Sequence, residues 1–194
     1  MQKLNRASLM SLEEYALKRP VFRSRIIAHK KPRQVSLGAH ATLYFEDYLS
    51  MQYQVQEMLR VEKIFEAAAI EEEIQAYNPL IPDGANWKAT LMLEYPDVEE
   101  RRTALAALRD VEHHIWVSID NLDRSFAVAN EDMERTSDEK TAAVHFLRFE
   151  LTADAIACLK AGSARVTMGV GHPAMQVQCD LDRQTIDSLT NDLT

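Results

Sequence analysis

Three pairs of short segments that are predicted to be strands constrain the fold of this chain more than any other feature, and Ala41–Glu46 is the one in which apolar and polar residues alternate most clearly. Alternation with a period of two is typical of a strand that buries one face and exposes the other. Only a few residues separate the two members of each pair, so we expect them to form antiparallel hairpins. The pairs are Gln34–Leu37 with Ala41–Glu46, His114–Ile119 with Arg124–Ala129, and Arg165–Val170 with Met175–Leu181.

Two further strands and three short helices are predicted around these hairpins. The strands are Trp87–Tyr95 and Ala143–Leu151, and the helices are Asp97–Asp110, Thr152–Ala161 and Asp182–Leu193. Neither a βαβ alternation nor a glycine-rich turn after a strand occurs, which argues against a parallel sheet. The predicted class is α+β: an antiparallel sheet or partly closed barrel of about eight strands, covered by helices, with one long central helix.

The first 33 residues are strongly basic, although the whole chain carries a net charge of −8. They contain nine Lys or Arg residues and two Glu residues, which leaves a net charge of −15 on the remaining 161 residues. Ser11 is expected to cap a helix that ends or restarts at Pro20, and Val21–Lys30 is expected to form a second helix. We favour packing of this basic segment 1–33 against the acidic body, because its apolar residues recur at helical spacing. Binding of an anionic ligand or of an acidic partner stays open.

The long central helix is predicted within the stretch from Tyr48 to Pro82, which ends in a proline-bracketed turn. Projected at about 100° per residue, its apolar residues gather on one face, and Glu62 falls among them. A carboxylate there must be paired, protonated or bound to a cation, because an unpaired buried charge is costly. Glu62 is therefore either a structural partner of Arg23 or Arg25, or a general acid/base or metal ligand. The apolar residues of this face are Met51, Val55, Met58, Leu59, Phe65 and Ala69.

Other polar residues stand out on the same helix, on the turn that follows it and on one strand. Glu57 and Arg60 are spaced to form an ion pair on the helix. His145 and Arg148 face opposite sides of the sheet, because successive side chains of a strand alternate. The carboxylates considered as partners of Arg148 are Glu46, Glu57 and Glu62. The candidate polar cluster or ligand-binding site comprises Arg23, Arg25, Gln54, Glu57, Arg60, Glu62, Tyr77, Asn78, His145 and Arg148.

The length and composition fit one domain spanning residues 1–194. A content of 46% hydrophobic and 27% charged residues is ordinary for a globular protein. Residues 130–140 have no apolar period and are predicted to form a mobile acidic loop. Without an apolar run suited to a signal peptide or membrane span, a cytoplasmic location and no membrane association are expected. No catalytic, metal or cofactor motif is present, so neither a metal nor a cofactor is predicted, and the acidic charge argues against nucleic acid as a partner.

Six strings of residues carry a resemblance to a known family: Ser11–Tyr15, Phe22–Arg25, Gln54–Glu62, Tyr77–Pro82, Val144–Phe149 and His172–Pro173. Together they resemble a bacterial family, that of domain of unknown function 3501, over almost the whole chain. Where some relatives carry tyrosine after the strand histidine, this chain has Phe146, so no phenol role is assigned there. The resemblance implies an α+β protein whose genes often lie beside a rubrerythrin-like protein and an iron–sulfur oxidoreductase. This implies a redox or peroxide-stress setting but no reaction.

Three functional hypotheses follow. The first is a non-catalytic accessory or interaction protein of that redox system, with the rubrerythrin-like protein and the iron–sulfur oxidoreductase as the partners that the resemblance implies. The alternative is a small-molecule-binding protein or enzyme with a polar pocket between the sheet and the central helix. The third is an iron-handling protein that uses Glu62, Glu66 and a histidine, which the missing Glu-x-x-His pattern disfavours.

Overall fold

The computed structural model describes residues 2–133, 135–137 and 139–194. Over these residues the chain forms six α-helices and nine strands. The helices are α1 (Leu12–Lys30), α2 (Tyr48–Val61), α3 (Ala67–Tyr77), α4 (Val98–Ala107), α5 (Ala153–Lys160) and α6 (Arg183–Thr190). The strands are β1 (Gln34–Leu37), β2 (Ala41–Glu46), β3 (Asn86–Leu93), β4 (Ile115–Ile119), β5 (Ser125–Phe126), β6 (Val128–Ala129), β7 (Val144–Glu150), β8 (Val166–His172) and β9 (Met175–Asp180).

The strands form two open sheets. The first sheet has the order β1-β2-β3-β7-β6 and the second has the order β5-β4-β8-β9. Every neighbouring pair of strands is antiparallel. The predicted α+β class is therefore confirmed, and the hairpins β1–β2 and β8–β9 form as expected.

The middle hairpin differs from its prediction because the returning segment is shared between the sheets. β5 pairs with β4 in the second sheet, whereas β6 pairs with β7 in the first sheet. Between them Ala127 is buried, and its amide donates to the carbonyl of Ile115 at 2.9 Å. The chain thus crosses from one sheet to the other without leaving this buried N–H unpaired. The four consecutive apolar residues from Phe126 to Ala129 do not reveal the crossing in the sequence.

One hydrophobic core joins the inner faces of both sheets to α4, α5 and α6. Leu91 of the first sheet and Met168 of the second are fully buried within it. Trp87 fastens the C-terminal helix to the core, since its indole nitrogen donates to the carbonyl of Leu189 at 2.9 Å. Alternate residues of β3 and β7 face away from this core and are mostly half-buried, whereas of the outward residues of β2 only Tyr44 is half-buried.

Helix α1 is continuous across Pro20, so the predicted break there is wrong. Proline removes one N–H from the helix, but the facing carbonyl belongs to the exposed Ala16, where water can reach it. The buried residues Tyr15, Phe22 and Ile26 lie on both sides of the proline and hold the two halves in line. Ser11 caps the helix as predicted, and its hydroxyl accepts from the Glu14 amide at 3.2 Å.

The predicted single central helix is wrong, because two helices with a turn between them occupy this stretch. Helix α2 ends at Val61, and Lys63 adopts a left-handed conformation with φ of 55°. The amide of Ile64 donates to the carbonyl of Leu59 at 2.9 Å, which is the closing hydrogen bond of a Schellman-type helix end. Glu62 caps the helix at its exposed end, so its predicted burial in an apolar stripe is wrong as well.

Helices α1, α2 and α3 form a layer beside the outer face of the first sheet. Contacts of Phe22 with Tyr53 and of His29 with Asp47 show that α1 and α2 run antiparallel. Separate hydrophobic clusters hold α1 to α2 and α2 to α3. Within the described residues, no helix combines the length and the apolar character needed to cross a membrane.

The segment predicted as a mobile acidic loop, residues 130–140, has no helix or strand among its described residues. Two of its residues, Glu134 and Asp138, lie outside the described residues. Arg135 pairs with Asp132, and the Thr136 hydroxyl donates to the buried carboxylate of Glu112. These contacts fix described parts of the segment to the body, while its mobility stays a prediction.

Candidate functional site

The ten polar residues singled out in the sequence lie in several separate places. Arg25 and Glu62 are exposed, and neither makes an ion pair among the residues described above. The predicted pairing of Glu62 with Arg23 or Arg25 is therefore wrong. The helix ends at Val61, and its exposed cap leaves the Glu62 side chain in solvent.

Glu57 and Arg60 belong to a polar cluster between α1 and α2. Arg19 donates to both carboxylate oxygens of Glu57, with distances of 2.7 and 2.8 Å, and the Tyr15 hydroxyl donates at 2.5 Å. Arg60 contributes a longer contact of 3.4 Å. The Arg19 hydrogen bonds, with those of Tyr15 and Arg60, lower the pKa of Glu57 to about 2. A carboxylate bound by so many donors joins two helices and is poorly suited to act as a base.

The N-terminal segment occupies the turn where Tyr77 and Asn78 were expected to line a pocket. The Asn78 side chain accepts from the Leu4 amide at 2.8 Å and donates to the Leu4 carbonyl at 3.0 Å. Gln54 is half-buried, but its neighbours on α2 bind the same segment: Gln52 donates to the Ser8 carbonyl and Gln56 accepts from the Met10 amide. The turn and the glutamines therefore fasten the start of the chain to α2 and α3.

His145 lies in a largely buried hydrogen-bond network. Its histidine, threonine and glutamate are residue types that also occur in catalytic sites, but the network is closed to substrates. Thr141 Oγ1 lies 2.8 Å from Nε2 of His145 and donates to Glu112 at 3.2 Å, while the Asn130 side chain lies 3.0 Å from Nδ1. Burial lowers the pKa of His145, which favours the neutral ring. His145, Thr141 and Glu112 are each at most 1% exposed, so no substrate reaches them in this conformation. The network anchors Asn130 and Thr141 to β7.

Arg148 faces the opposite side of the sheet from His145, as predicted, but its predicted carboxylate partners are wrong. Its guanidinium binds Glu131 through two hydrogen bonds of 2.7 and 2.8 Å, and it also pairs with Glu150. Both partners lie on or next to the edge of the sheet, whereas Glu46, Glu57 and Glu62 lie elsewhere. The nearest cation on the adjacent strand is Lys88, its partner in the β3–β7 register.

The largest open space near a predicted residue is a groove between α1 and the outer face of the first sheet, which we call the α1 groove. Its volume is about 660 Å³. Helix α1 and the residue after it form one wall, the first three strands form the floor, and α2 closes one end. The groove is lined by Arg23, Ile26, Ile27, Lys30, Lys31, Gln34, Tyr44, Glu46, Tyr53, Thr90 and Met92.

The α1 groove has a surplus of positive charge. Glu46 is buried and accepts from Ser50 at 2.8 Å and from Thr90 at 3.1 Å, and Lys30 lies 3.6 Å from it. Lys30 therefore neutralises the one carboxylate of the groove. Arg23 and Lys31 make no ion pair with any residue that the structure describes, and both are exposed.

The floor of the α1 groove is aromatic and apolar. Tyr53 is held in place by an edge-to-face contact with Phe22, with ring centroids 5.6 Å apart. Burial, with a contribution from the Glu94 charge, raises the pKa of Tyr44, so its phenol remains a neutral hydrogen-bond donor. Ile27 is 57% exposed at the rim. Of the groove residues, Arg23 belongs to the predicted polar cluster and Glu46 was considered only as a partner of Arg148; the run Lys30–Lys31 before Pro32 was the available signal for the two lysines.

No metal centre accompanies this groove. Among residues 2–133, 135–137 and 139–194, no three His, Cys, Asp or Glu side chains are grouped as a metal ion would require. The residues considered for iron differ in exposure: His145 is buried, whereas Glu62 and Glu66 are both exposed.

Comparisons with known proteins identify relatives along the whole chain. A family model described as "Protein of unknown function (DUF3501)" matches residues 3–193. A crystal structure of a novel protein of unknown function from Burkholderia pseudomallei is 46% identical, and the alignment covers 100% of both chains with a TM-score of 0.94. No curated protein gives a significant match.

Proposed function

The chain belongs to the DUF3501 family of proteins of unknown function, and from the geometry of its site we propose that it binds a small organic anion in the α1 groove. The observation that carries this proposal is the pair of exposed cations, Arg23 and Lys31, beside two tyrosines in a space of about 660 Å³. That volume lies within the range of small-molecule sites, which combine apolar walls with a few polar groups. The hypothesis of a pocket between sheet and helix is thus retained, with α1 in place of the central helix.

Charge supports an anionic ligand over a neutral or cationic one. The chain carries a net charge of −8, so a local surplus of positive charge attracts anions to this one groove more than to the surrounding surface. The guanidinium of Arg23 is able to bind a carboxylate, sulfonate or phosphate through two parallel hydrogen bonds. Lys31 adds a second positive charge at the same rim.

The floor indicates that the ligand has an apolar part as well as a charge. Tyr44, Tyr53 and Met92 present aromatic and thioether surface, and Ile27 extends it to the rim. An anion without an apolar part would leave this apolar surface exposed to water. A ligand with both parts is oriented, because its charge lies toward α1 and its apolar part lies toward the sheet.

Removing the two cations is expected to weaken binding of an aromatic anion. Anilinonaphthalene sulfonate is the probe, and its dissociation constant is measured by fluorescence titration. In the variant R23A/K31A the dissociation constant should rise about tenfold or more, since hydrogen bonds to charged groups contribute about 1.5–3 kcal/mol each.

The matched control is R25A, which removes an exposed arginine from another side of the same helix and leaves the groove intact. Its dissociation constant should stay within about twofold of the unchanged protein. Equal affinities for R25A and R23A/K31A would contradict the proposal, because the probe would then bind to general apolar surface.

The accessory role in a redox system, the rubrerythrin-like and iron–sulfur partners and the cytoplasmic location stay predictions of the resemblance and of the sequence.

A further inference from the structure

A second cationic feature lies on the outer face of the first sheet, on the side of α3. Lys88 of β3 and Arg148 of β7 are direct partners in the antiparallel register. Their side chains are only 16% and 21% exposed. Two like charges side by side and largely shielded from water repel one another, and the arrangement is stable only when an anion is shared between them.

Glu131 supplies that anion from the segment after β6, and Glu150 pairs with Nη1 of Arg148 from the end of β7. Its carboxylate accepts from Nε and Nη2 of Arg148 at 2.8 and 2.7 Å, and it lies 4.0 Å from Nζ of Lys88. Burial lowers the pKa of Lys88, and the Glu131 charge only partly offsets this effect. The two-pronged geometry is the one with which arginine binds free carboxylates and phosphates.

The position of Glu131 differs from that of the two cations. Lys88 and Arg148 are held in central strands of the sheet, whereas Glu131 lies in irregular backbone and its side chain is 49% exposed. The preceding residue is anchored, because the Asn130 amide donates to the Phe146 carbonyl at 2.9 Å. Rotation of the Glu131 side chain into solvent therefore frees Lys88 and the Nε and Nη2 groups of Arg148 without unfolding either strand, while Glu150 stays on Nη1.

A cavity of about 110 Å³ opens beside this group. Leu80 and Phe146 line it together with Lys88, Arg148 and the carboxylates of Glu131 and Asp132. Its size suits a single charged group such as a phosphate, rather than a large cofactor. Its apolar side limits the access of water to the charges and so strengthens their attraction for an anion.

We infer that Lys88 and Arg148 form an anion site in which Glu131 is an internal ligand, and that a dianionic phosphoryl group displaces it. A monoanionic carboxylate gains little by competing, because Glu131 already supplies one at high effective concentration. A dianion gains more, since it places two negative charges between two cations. This site is separate from the α1 groove and shares no lining residue with it.

The test is a phosphorus NMR titration of the full chain with inorganic phosphate. In E131Q the internal ligand loses its charge, and the dissociation constant for phosphate should fall about tenfold relative to the unchanged protein. In the double variant E131Q/R148M this binding should be lost. The control E99Q removes an exposed carboxylate of α4, which pairs with Arg102, and should change phosphate affinity by less than about twofold.

Methyl phosphate is titrated in parallel, and the tighter of the two ligands shows whether a free or an esterified phosphoryl group is preferred. Phosphate binding that is no tighter in E131Q, or that persists in E131Q/R148M, would overturn the inference. The variant R23A/K31A should bind phosphate at this site with the same affinity as the unchanged protein. Failure of the phosphate site is therefore distinguishable from failure of the α1 groove.

Discussion

Replacement of Arg33 by methionine is expected to lower the free energy of unfolding by about 3–5 kcal/mol, the range seen when one partner of a buried ion pair is removed. Arg33 is 2% exposed and joins the end of the basic segment to the C-terminal helix. Its guanidinium donates to Asp192 at 2.5 Å and to the Ser188 carbonyl at 3.1 Å. It also binds the carbonyls of Phe45 and Glu46, and Asp47 lies 3.5 Å away.

The pH dependence of R33M provides an internal check. Burial raises the pKa of Asp192 to about 6, although Arg33 opposes this effect. Because the folded-state pKa lies above that of the unfolded chain, this group favours folding at low pH and loses that contribution as the pH rises through about 6. Without Arg33 the pKa should rise further, so the destabilisation of R33M should be smaller at acidic pH than above neutrality.

Urea denaturation of R33M across this pH range measures both effects. The control R25M removes an exposed arginine of the same basic segment and should alter stability by no more than about 0.5 kcal/mol. A loss below about 1 kcal/mol for R33M would show that the buried arginine is not an essential link between the two ends of the chain.

The second large effect is expected at Gly169, which lies beneath Trp116 on the second sheet. A Cβ atom at Gly169 would lie 2.5 Å from Cζ2 of Trp116 and 2.7 Å from the carbonyl oxygen of Val177. The ring and the neighbouring strand must both move to accept it. Overpacking of this kind costs about 1–3 kcal/mol, and the backbone contact places G169A toward the upper end.

Gly171 offers a matched control two residues further along the same strand. There the nearest atom to an added Cβ, the His114 carbonyl oxygen, would lie 3.9 Å away, which is ordinary contact. Thermal unfolding should therefore show G169A to be clearly less stable and G171A to be close to the unchanged protein. Equal stability of the two variants would mean that Trp116 has room to move, against the packing described here.

Local pattern predicted the sheets well because a period of two relates directly to burial. The boundaries of β2 and β7 and the faces of His145 and Arg148 all follow from alternation. Helix projection failed at Glu62 because it assumes a straight helix. The turn there depends on Lys63 in a left-handed conformation, which lysine adopts without the signal that a glycine would provide.

The charged contacts were less predictable because they join residues that are distant along the chain. Arg33 and Asp192 are 159 positions apart, and Arg148 pairs with Glu131 rather than with any glutamate of the central stretch. The choice among many carboxylates depends on how α1 and the sheets are arranged in three dimensions. The sequence predicted a pocket between the sheet and the central helix, whereas the groove proposed as the site lies against α1.

The most direct test of the α1 groove as an anion site is a backbone NMR titration with anilinonaphthalene sulfonate. If the groove binds the probe, the Lys31, Gln34, Tyr44 and Thr90 amides should show saturable shifts with one dissociation constant, and these shifts should be lost in R23A/K31A. Shifts that cluster instead around the exposed Phe65 at the turn between α2 and α3, or that survive in R23A/K31A, would contradict it.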